Sequence, residues 1–511
     1  MPSSGNVTSS TGANDHTGNR NGNGDAHNGD AHNGNGNAHN ESANVGDAHI
    51  LRRIITLAIP TLGQLVAEPA FILIDTAIIG HVSDSALAGL SIGSTLILTT
   101  VGLCVFLAYS TTSRVAQLMG AGRRREGMQA GVDGMWLALL IGMVVSVAIF
   151  LGAEPLCRFL GAEGDVLTQA VAYVRALVFG VPGMLVVYAA NGIYRGVFKV
   201  KMTLVAAVAG AALNTALDLL FVFGFGWGIV GSGAATFCAQ WAMCLFLAVP
   251  ALLWAKADGA SLRPRLEGIA GSGADGLPLF VRTLALRAGM VATVMVTASM
   301  GATVLASYQA VNSAWNFALN ILDAIGIASQ SLVGNAMGAG DRPAVRRLTR
   351  AGARTGALMG VAVGLGFIAV GWLATPLFSP NPEIQLLIRV GIVAQGVFFP
   401  LEGWMWALDG ILIGAGDYRY LAATCTLASL IYIGVLVGFA QVVSPAMGGL
   451  PASGGLGGSA GLGGSAGTVP LTPDMVRVAA LWVLFNVVFM GLRGVANGLR
   501  AHGDRWMAQR A

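Results

Sequence analysis

The chain predicts an all-α polytopic membrane protein, with twelve transmembrane helices in two pseudo-symmetric six-helix lobes. Of its 511 residues 54% are hydrophobic and only 11% are charged, far below the roughly 25% charge of soluble domains. About a dozen apolar stretches approach the ~20 residues that cross a bilayer. A constant offset of 218 relates the halves. Met119-Gly120-Ala121-Gly122 recurs as Met337-Gly338-Ala339-Gly340, and the same shift takes Pro60 to Pro278, Leu87-Ala88 to Leu305-Ala306, Pro182 to Pro400, Gly192-Ile193 to Gly410-Ile411 and Gly196 to Gly414. One register shared by so many positions implies duplication.

Residues 1–49 are Asn, Gly, Ser, Asp and His with almost no large apolar side chain, a composition that predicts a disordered tail. His16, His27, His32, His39 and His49 there read as a solvated extension and not a metal site. The first lobe spans 50–257, with helices near 54–80, 86–112, 131–153, 166–191, 202–224 and 228–254. A polar interlobe linker follows at 258–277. The second lobe spans 278–498, with helices near 279–300, 303–332, 351–375, 384–413, 420–443 and 476–498. The doubled Gly-Leu-Gly-Gly-Ser-Ala within 444–472 predicts a flexible external loop, and 499–511 form a short tail.

Cations set the orientation. Alternate loops hold nearly all of them, including Arg52 and Arg53, Arg123 to Arg125, Arg195, Lys199 and Lys201, Arg342 to Arg354, and Arg493 to Arg510. That asymmetry predicts cytoplasmic termini at both ends. The net charge of +4 is thus a topological signal with no continuous patch for nucleic acid. Five cysteines, odd in number and without CxxC spacing, predict neither a disulfide framework nor a zinc site. No HExxH, GxSxG or phosphate-binding glycine loop stands in a suitable context, so the sequence does not point to an enzyme.

Polar side chains inside the spans carry the functional signal, because an acid near the bilayer centre is costly unless neutral, paired or wet. Glu68 and Asp75 lie two helical turns apart on one face. Asn214 and Asp218 stand at i and i+4, and Thr236 adds a hydroxyl from the next span. Together these oxygens suit a proton or a hard cation such as sodium. The second lobe is no chemical copy, since the shift takes Asp75 to Thr293, Asn214 to Tyr432 and Asp218 to Leu436. It offers instead Asn312, Asn316, Asn320, Asp323, Glu402 and Asp409, with Arg282 and Arg287. Such a stripe either knits helices together or lines a wet cavity, and Glu402 is its candidate contact for a cationic substrate.

Ile74-Asp75-Thr76-Ala77-Ile78-Ile79-Gly80-His81 with Leu87-Ala88-Gly89-Leu90, then Val115-Ala116-Gln117 before Met119-Gly120-Ala121-Gly122, Asn191-Gly192-Ile193-Tyr194-Arg195-Gly196, and Asn214 with Leu217-Asp218 resemble the motifs of multidrug and toxic compound extrusion (MATE) transporters, in particular their DinF-like branch. The resemblance runs from about residue 50 to 498. It implies an antiporter that exports amphipathic, mostly cationic compounds by alternating access, driven by a proton or sodium gradient. It also implies coupling residues at Asp75, Asn191, Asn214, Asp218 and Thr236, and a bend at Pro60. Phe71 stands where some relatives resemble a tyrosine, which leaves proton and sodium both open. Further expectations are a monomer in a bacterial cytoplasmic membrane, small-molecule substrates, and no cofactor beyond the coupling ion. Arg282 and Arg287 suggest a lipid or lipid-linked precursor flippase as the alternative, against which twelve spans and first-lobe acids argue.

An ionised Asp75 in a poorly hydrated pocket is relieved by a proton, or by a sodium ion shared with Asn214, Asp218 and Thr236. Either event removes negative charge, lets the first span shift near Pro60, and weakens the hold on a cationic substrate. Ion and substrate then compete for one conformation, and by linkage the competition is reciprocal.

Overall fold

A computed structural model of the chain describes residues 34–443 and 472–507, with side chains from Ala48 onward except Glu68, Val442 and Val443. Among the described residues all regular structure is helical. The first lobe comprises α1 (Ala48–Gly80), α2 (Asp84–Gly120), α3 (Arg124–Phe159), α4 (Gly164–Gly196), α5 (Val200–Gly224) and α6 (Gly228–Ala257). The second comprises α7 (Leu266–Ser299), α8 (Ala302–Gly338), α9 (Arg342–Phe378), α10, α11 (Tyr418–Gln441) and α12 (Pro473–His502). Helix α10 is a bent pair, Pro382–Gly396 and Phe399–Ala415, angled by 51°. Counting it as one span gives twelve.

Leu, Val and Ala fill these helices, and side-chain caps mark several starts: Ser83 accepts from the Ala86 amide, Asp341 from Ala344, Asn381 from Glu383 and Thr472 from Met475. Each cap satisfies one orphan N–H of the first turn. Large apolar side chains stay exposed along the spans, such as Leu73, Leu151, Leu373 and Leu377, as a hydrocarbon solvent allows.

Two expectations shift. The helix that contains α1 begins at Gly34, so residues 34–47 are helical backbone where the composition predicts an unfolded tail; extending a formed helix requires no new nucleus. The rest of that tail and the loop at 444–471 lie outside the described residues. The polar linker is also largely helical, because α7 starts at Leu266. It is fastened to the first lobe by Arg265 on Asp133 (2.6 Å), Arg114 on Asp275 (2.5 Å), and Gln129, whose Oε1 accepts from the Ser261 amide (2.6 Å).

The repeated Met-Gly-Ala-Gly explains the seam between lobes. Its second glycines, Gly122 (φ 73°) and Gly340 (φ 69°), adopt the left-handed conformation that ends α2 and α8. Its first glycines permit contact: a Cβ on Gly120 would lie 1.9 Å from the carbonyl oxygen of Asn335, and one on Gly338 would lie 1.7 Å from that of Gln117. Asn335 and Gln117 are themselves 218 apart, so this is one contact made twice about a pseudo-twofold axis. Around it Ser113 donates to the Ile413 carbonyl (2.8 Å), Gln117 to the Gly414 carbonyl (2.7 Å) and Gln330 to the Tyr109 carbonyl (2.8 Å). The same duplication recurs where Gly142 meets Pro182 and Gly360 meets Pro400, with a Cβ 2.5 and 2.8 Å from the respective proline Cα atoms.

Gly338→Ala should therefore force α2 and α8 apart at the arginine-rich side, at an overpacking cost of roughly 1–3 kcal/mol. In a cysteine-free background, Ala336→Cys should be protected from maleimide with Gly338 present and labelled in the Gly338→Ala variant, with a lower thermal midpoint. Unchanged labelling and midpoint would refute the seam.

Candidate functional site

Between α1, α2, α4, α5 and α6 the first lobe encloses a cavity of about 140 Å³, lined by Phe71, Asp75, Tyr173, Asn191 and Thr236 among others. At roughly 30 Å³ per water it holds a few molecules. Asp75 on α1 is 4% exposed, while Asn214 and Asp218 on α5 are fully buried behind it. The Asn214 amide nitrogen donates to Asp75 Oδ1 at 2.9 Å and to Asp218 Oδ2 at 2.6 Å. One amide thus joins two carboxylates on two helices. Asp218 sits at the last α-helical turn before a π-helical stretch, Leu219–Gly224, a local widening that often marks functional positions.

Two buried amide oxygens around this bridge have no hydrogen-bond partner, Asn191 Oδ1 and Asn214 Oδ1, while Ser232 and Thr236 lie against Asp218 and Tyr173. Buried polar atoms are normally paired, so these orphans beside two acids are exceptions. Tyr173 and Ser232 are the members that sequence reading overlooked. Their only signal was helical register with Asn191 and Thr236.

Helix α1 is the least buried span, with 12% of its apolar window covered. It contains Pro60 and Pro69, each of which removes a helical hydrogen bond and favours a bend. Its first half packs Ile54, Leu57 and Ala58 against Ala324, Ile325, Ala328 and Leu332 of α8, and its second half reaches the first-lobe core through Ile78 and Ile79. The side chain of Glu68 lies outside the described residues.

The second lobe repeats the contact without the charge. Thr293 and Tyr432, the shifted counterparts of Asp75 and Asn214, join their hydroxyls at 2.8 Å. Glu402, the expected substrate contact, is absent from the walls of the two cavities described. It is fully buried and accepts from Trp315 Nε1 (3.1 Å) and Gln395 Nε2 (3.0 Å), with Asn486 donating on to Gln395 (2.6 Å). Hence Glu402 ties α8, both segments of α10, and α12 into one network. Asn316 lines a separate cavity between the lobes, while Asn312 is absent from the described cavity walls and offers its carbonyl to the Asn316 amide.

Two arginines assigned to loops by sequence are also internal. Arg195 is 4% exposed and donates to Gln64 Oε1 (3.1 Å). Arg493 is 1% exposed and, with Arg282, is paired to Asp409, whose other oxygen accepts from Asn497 (2.6 Å). The signal was present: an intramembrane arginine such as Arg282 requires an acid partner.

The MatE family model matches residues 60–220 and again residues 278–439, two matches that begin 218 residues apart. The chain is 27% identical over 424 residues to Protein DETOXIFICATION 44, chloroplastic, of Arabidopsis thaliana, covering 79% of this chain and 78% of that protein. It is 23% identical over 422 residues to Multidrug resistance protein MdtK of Yersinia enterocolitica, covering 78% and 90%. Among solved structures it resembles the Vibrio cholerae MATE transporter VcmN in the bent form, with TM-score 0.76 at 17% identity over 91% of this chain and 98% of that one. A MOP superfamily transporter from Pyrococcus furiosus gives TM-score 0.74 at 18% identity, over 89% and 96%.

Neutralising Asp409 leaves two buried guanidinium groups uncompensated, so Asp409→Asn should lower stability by roughly 3–5 kcal/mol. Thermal unfolding of the purified protein checks this, and a midpoint equal to that of the parent chain would contradict the pairing.

Proposed function

The chain belongs to the MatE family of membrane transporters, and from that premise we propose that it is a cation-coupled antiporter exporting amphipathic organic compounds, with proton or sodium uptake at Asp75 and Asp218. The observation that carries this reading is the Asn214 bridge between those two carboxylates, set against its uncharged replica Thr293–Tyr432. Equal folds with unequal charge support assigning the ion chemistry to the first lobe.

The steps follow from electrostatics. Two anionic carboxylates within reach of one amide repel, and an arriving proton or sodium ion relieves that repulsion. Its binding weakens the pull of Asp75 on the Asn214 amide and frees α1, the least buried span, to bend near Pro60. The cavity wall formed by Phe71 and Asp75 moves with it. A cationic compound resting there competes with the coupling ion for the same negative charge, so binding of one promotes release of the other. Asn191 and Thr236 supply oxygen ligands from α4 and α6. In the membrane we place both termini on the cytoplasmic side, following the arginine-rich loops.

Asp75→Asn and Asp218→Asn should each fold and insert, yet lose gradient-driven transport of tetraphenylphosphonium in proteoliposomes, whereas Thr293→Val should retain it. Imposing proton and sodium gradients separately identifies the ion. Gradient-dependent transport by both acid variants at the parent rate would defeat the proposal.

Sidedness is tested separately with an impermeant maleimide on sealed cells. A cysteine at Glu163 should be labelled from outside and one at Arg125 only after permeabilisation. The reverse pattern would invert the topology.

A further inference from the structure

Protein covers only 17% of the apolar window of α9, so most of that helix faces the bilayer. Arg342, Arg346, Arg347, Arg350 and Arg354 all lie in its first four turns, and no acid stands anywhere between Arg342 and Phe378. Arginines three or four residues apart on one helix repel each other, and cations near a helix N-terminus oppose its dipole. On the same arginine-rich side other cations are neutralised: Arg346 by Asp504 (2.6 Å), Arg124 by Asp258 (2.8 Å) and Arg500 by Asp417 (2.7 Å). Arg347, Arg350 and Arg354 are exposed and engage no acid among the described residues.

These three arginines share one face with an apolar strip. At 3.6 residues per turn, positions 347, 350, 354, 358, 361 and 365 fall within an arc of about 80°, and Leu358, Val361 and Leu365 are large side chains left exposed along the span. The arginines occupy roughly 10 Å of the axis and the apolar residues roughly 10 Å more. Beside this face Leu348, Ala351 and Met359 pack against the cluster that Ile54 and Leu57 of α1 form with Ala328 and Leu332 of α8, which turns the arginine strip away from the protein. An orientation signal requires only cations at this end of the bundle. It does not require them unpaired and in line with exposed leucines.

We propose that this face of α9 binds an anionic glycerophospholipid of the surrounding bilayer, its phosphate against Arg347, Arg350 and Arg354 and an acyl chain along Leu358, Val361 and Leu365. Guanidinium forks suit phosphate oxygens, and the negative charge offsets the repulsion among the arginines. A zwitterionic lipid brings no net charge to that balance. A soluble acidic partner would match the arginines but leave the leucine strip, at bilayer depth, uncovered. None of the six residues lines either described cavity, so the lipid is a resident of the outer surface and not a cargo. It requires neither Asp75 nor an ion gradient.

Native mass spectrometry of the full chain in detergent, with equimolar dioleoyl phosphatidylglycerol and dioleoyl phosphatidylcholine, tests it. Phosphatidylglycerol should be retained roughly ten- to hundredfold over phosphatidylcholine, the scale of three arginines beside an anionic lipid. Combining Arg347→Gln, Arg350→Gln and Arg354→Gln should bring that preference close to unity while keeping the parent thermal midpoint in phosphatidylcholine nanodiscs, and Arg350→Gln alone should lower it about fivefold. Removing as many charges at Arg123, Arg124 and Arg125 should leave it intact. In a cysteine-free background, a benzophenone on Leu358→Cys should crosslink phosphatidylglycerol, and the crosslink should be lost when the three α9 arginines are replaced. No preference in the parent chain, an unchanged preference in the triple α9 variant, an equal loss in the loop variant, or displacement of the lipid by glycerol 3-phosphate, which has the head without the tails, would overturn the assignment.

Discussion

One amide nitrogen holds two acids in a membrane interior, and the arrangement of the first lobe depends on it. Because the Asn214 nitrogen touches Asp75 at 2.9 Å and Asp218 at 2.6 Å, the two accepting oxygens lie within about 5.5 Å of each other. At an effective dielectric of ~20, two full charges at such a separation repel by roughly 3 kcal/mol. A single neutral donor cannot compensate both. The unpartnered oxygen of Asn191 lies beside the same cavity as Asp75. The two acids stand on α1, the span with the smallest share of its window buried among those compared, and on α5.

Duplication made the architecture legible. The 218-residue register named the glycines and prolines that permit close helix crossings, and Gly120 with Gly338 or Pro182 with Pro400 meet their partners in that same register. These positions carry a steric constraint that any replacement would violate, and such constraints survive in sequence as identities. Asp75, Asn214 and Asp218 were legible for a related reason. Helical spacing put each on a definite face, and apolar surroundings made each conspicuous.

What escaped the sequence was pairing across long separations. Glu402 looked like an acid awaiting a substrate, because nothing local revealed that Trp315 and Gln395 would close on it from elsewhere in the fold. Arg195 and Arg493 lie at the ends of apolar runs, where one turn decides between a solvated loop cation and a buried ion pair. Periodicity cannot resolve one turn at a helix end. The interlobe stretch joins the lobes as its polarity suggested, but its sequence did not reveal that Arg265 and Asp275 fasten it to Asp133 and Arg114.

The two lobes therefore keep one backbone plan and divide the electrostatics. In the first, two acids, Asp75 and Asp218, share the single amide of Asn214. In the second, the equivalent positions hold the neutral Thr293–Tyr432 pair, and the deep acids Glu402 and Asp409 are fully engaged. Breaking one of the contacts to Asp409 strands a buried charge. The two lobes meet backbone to backbone at the crossing of α2 and α8, which admits no side chain at Gly120 or Gly338.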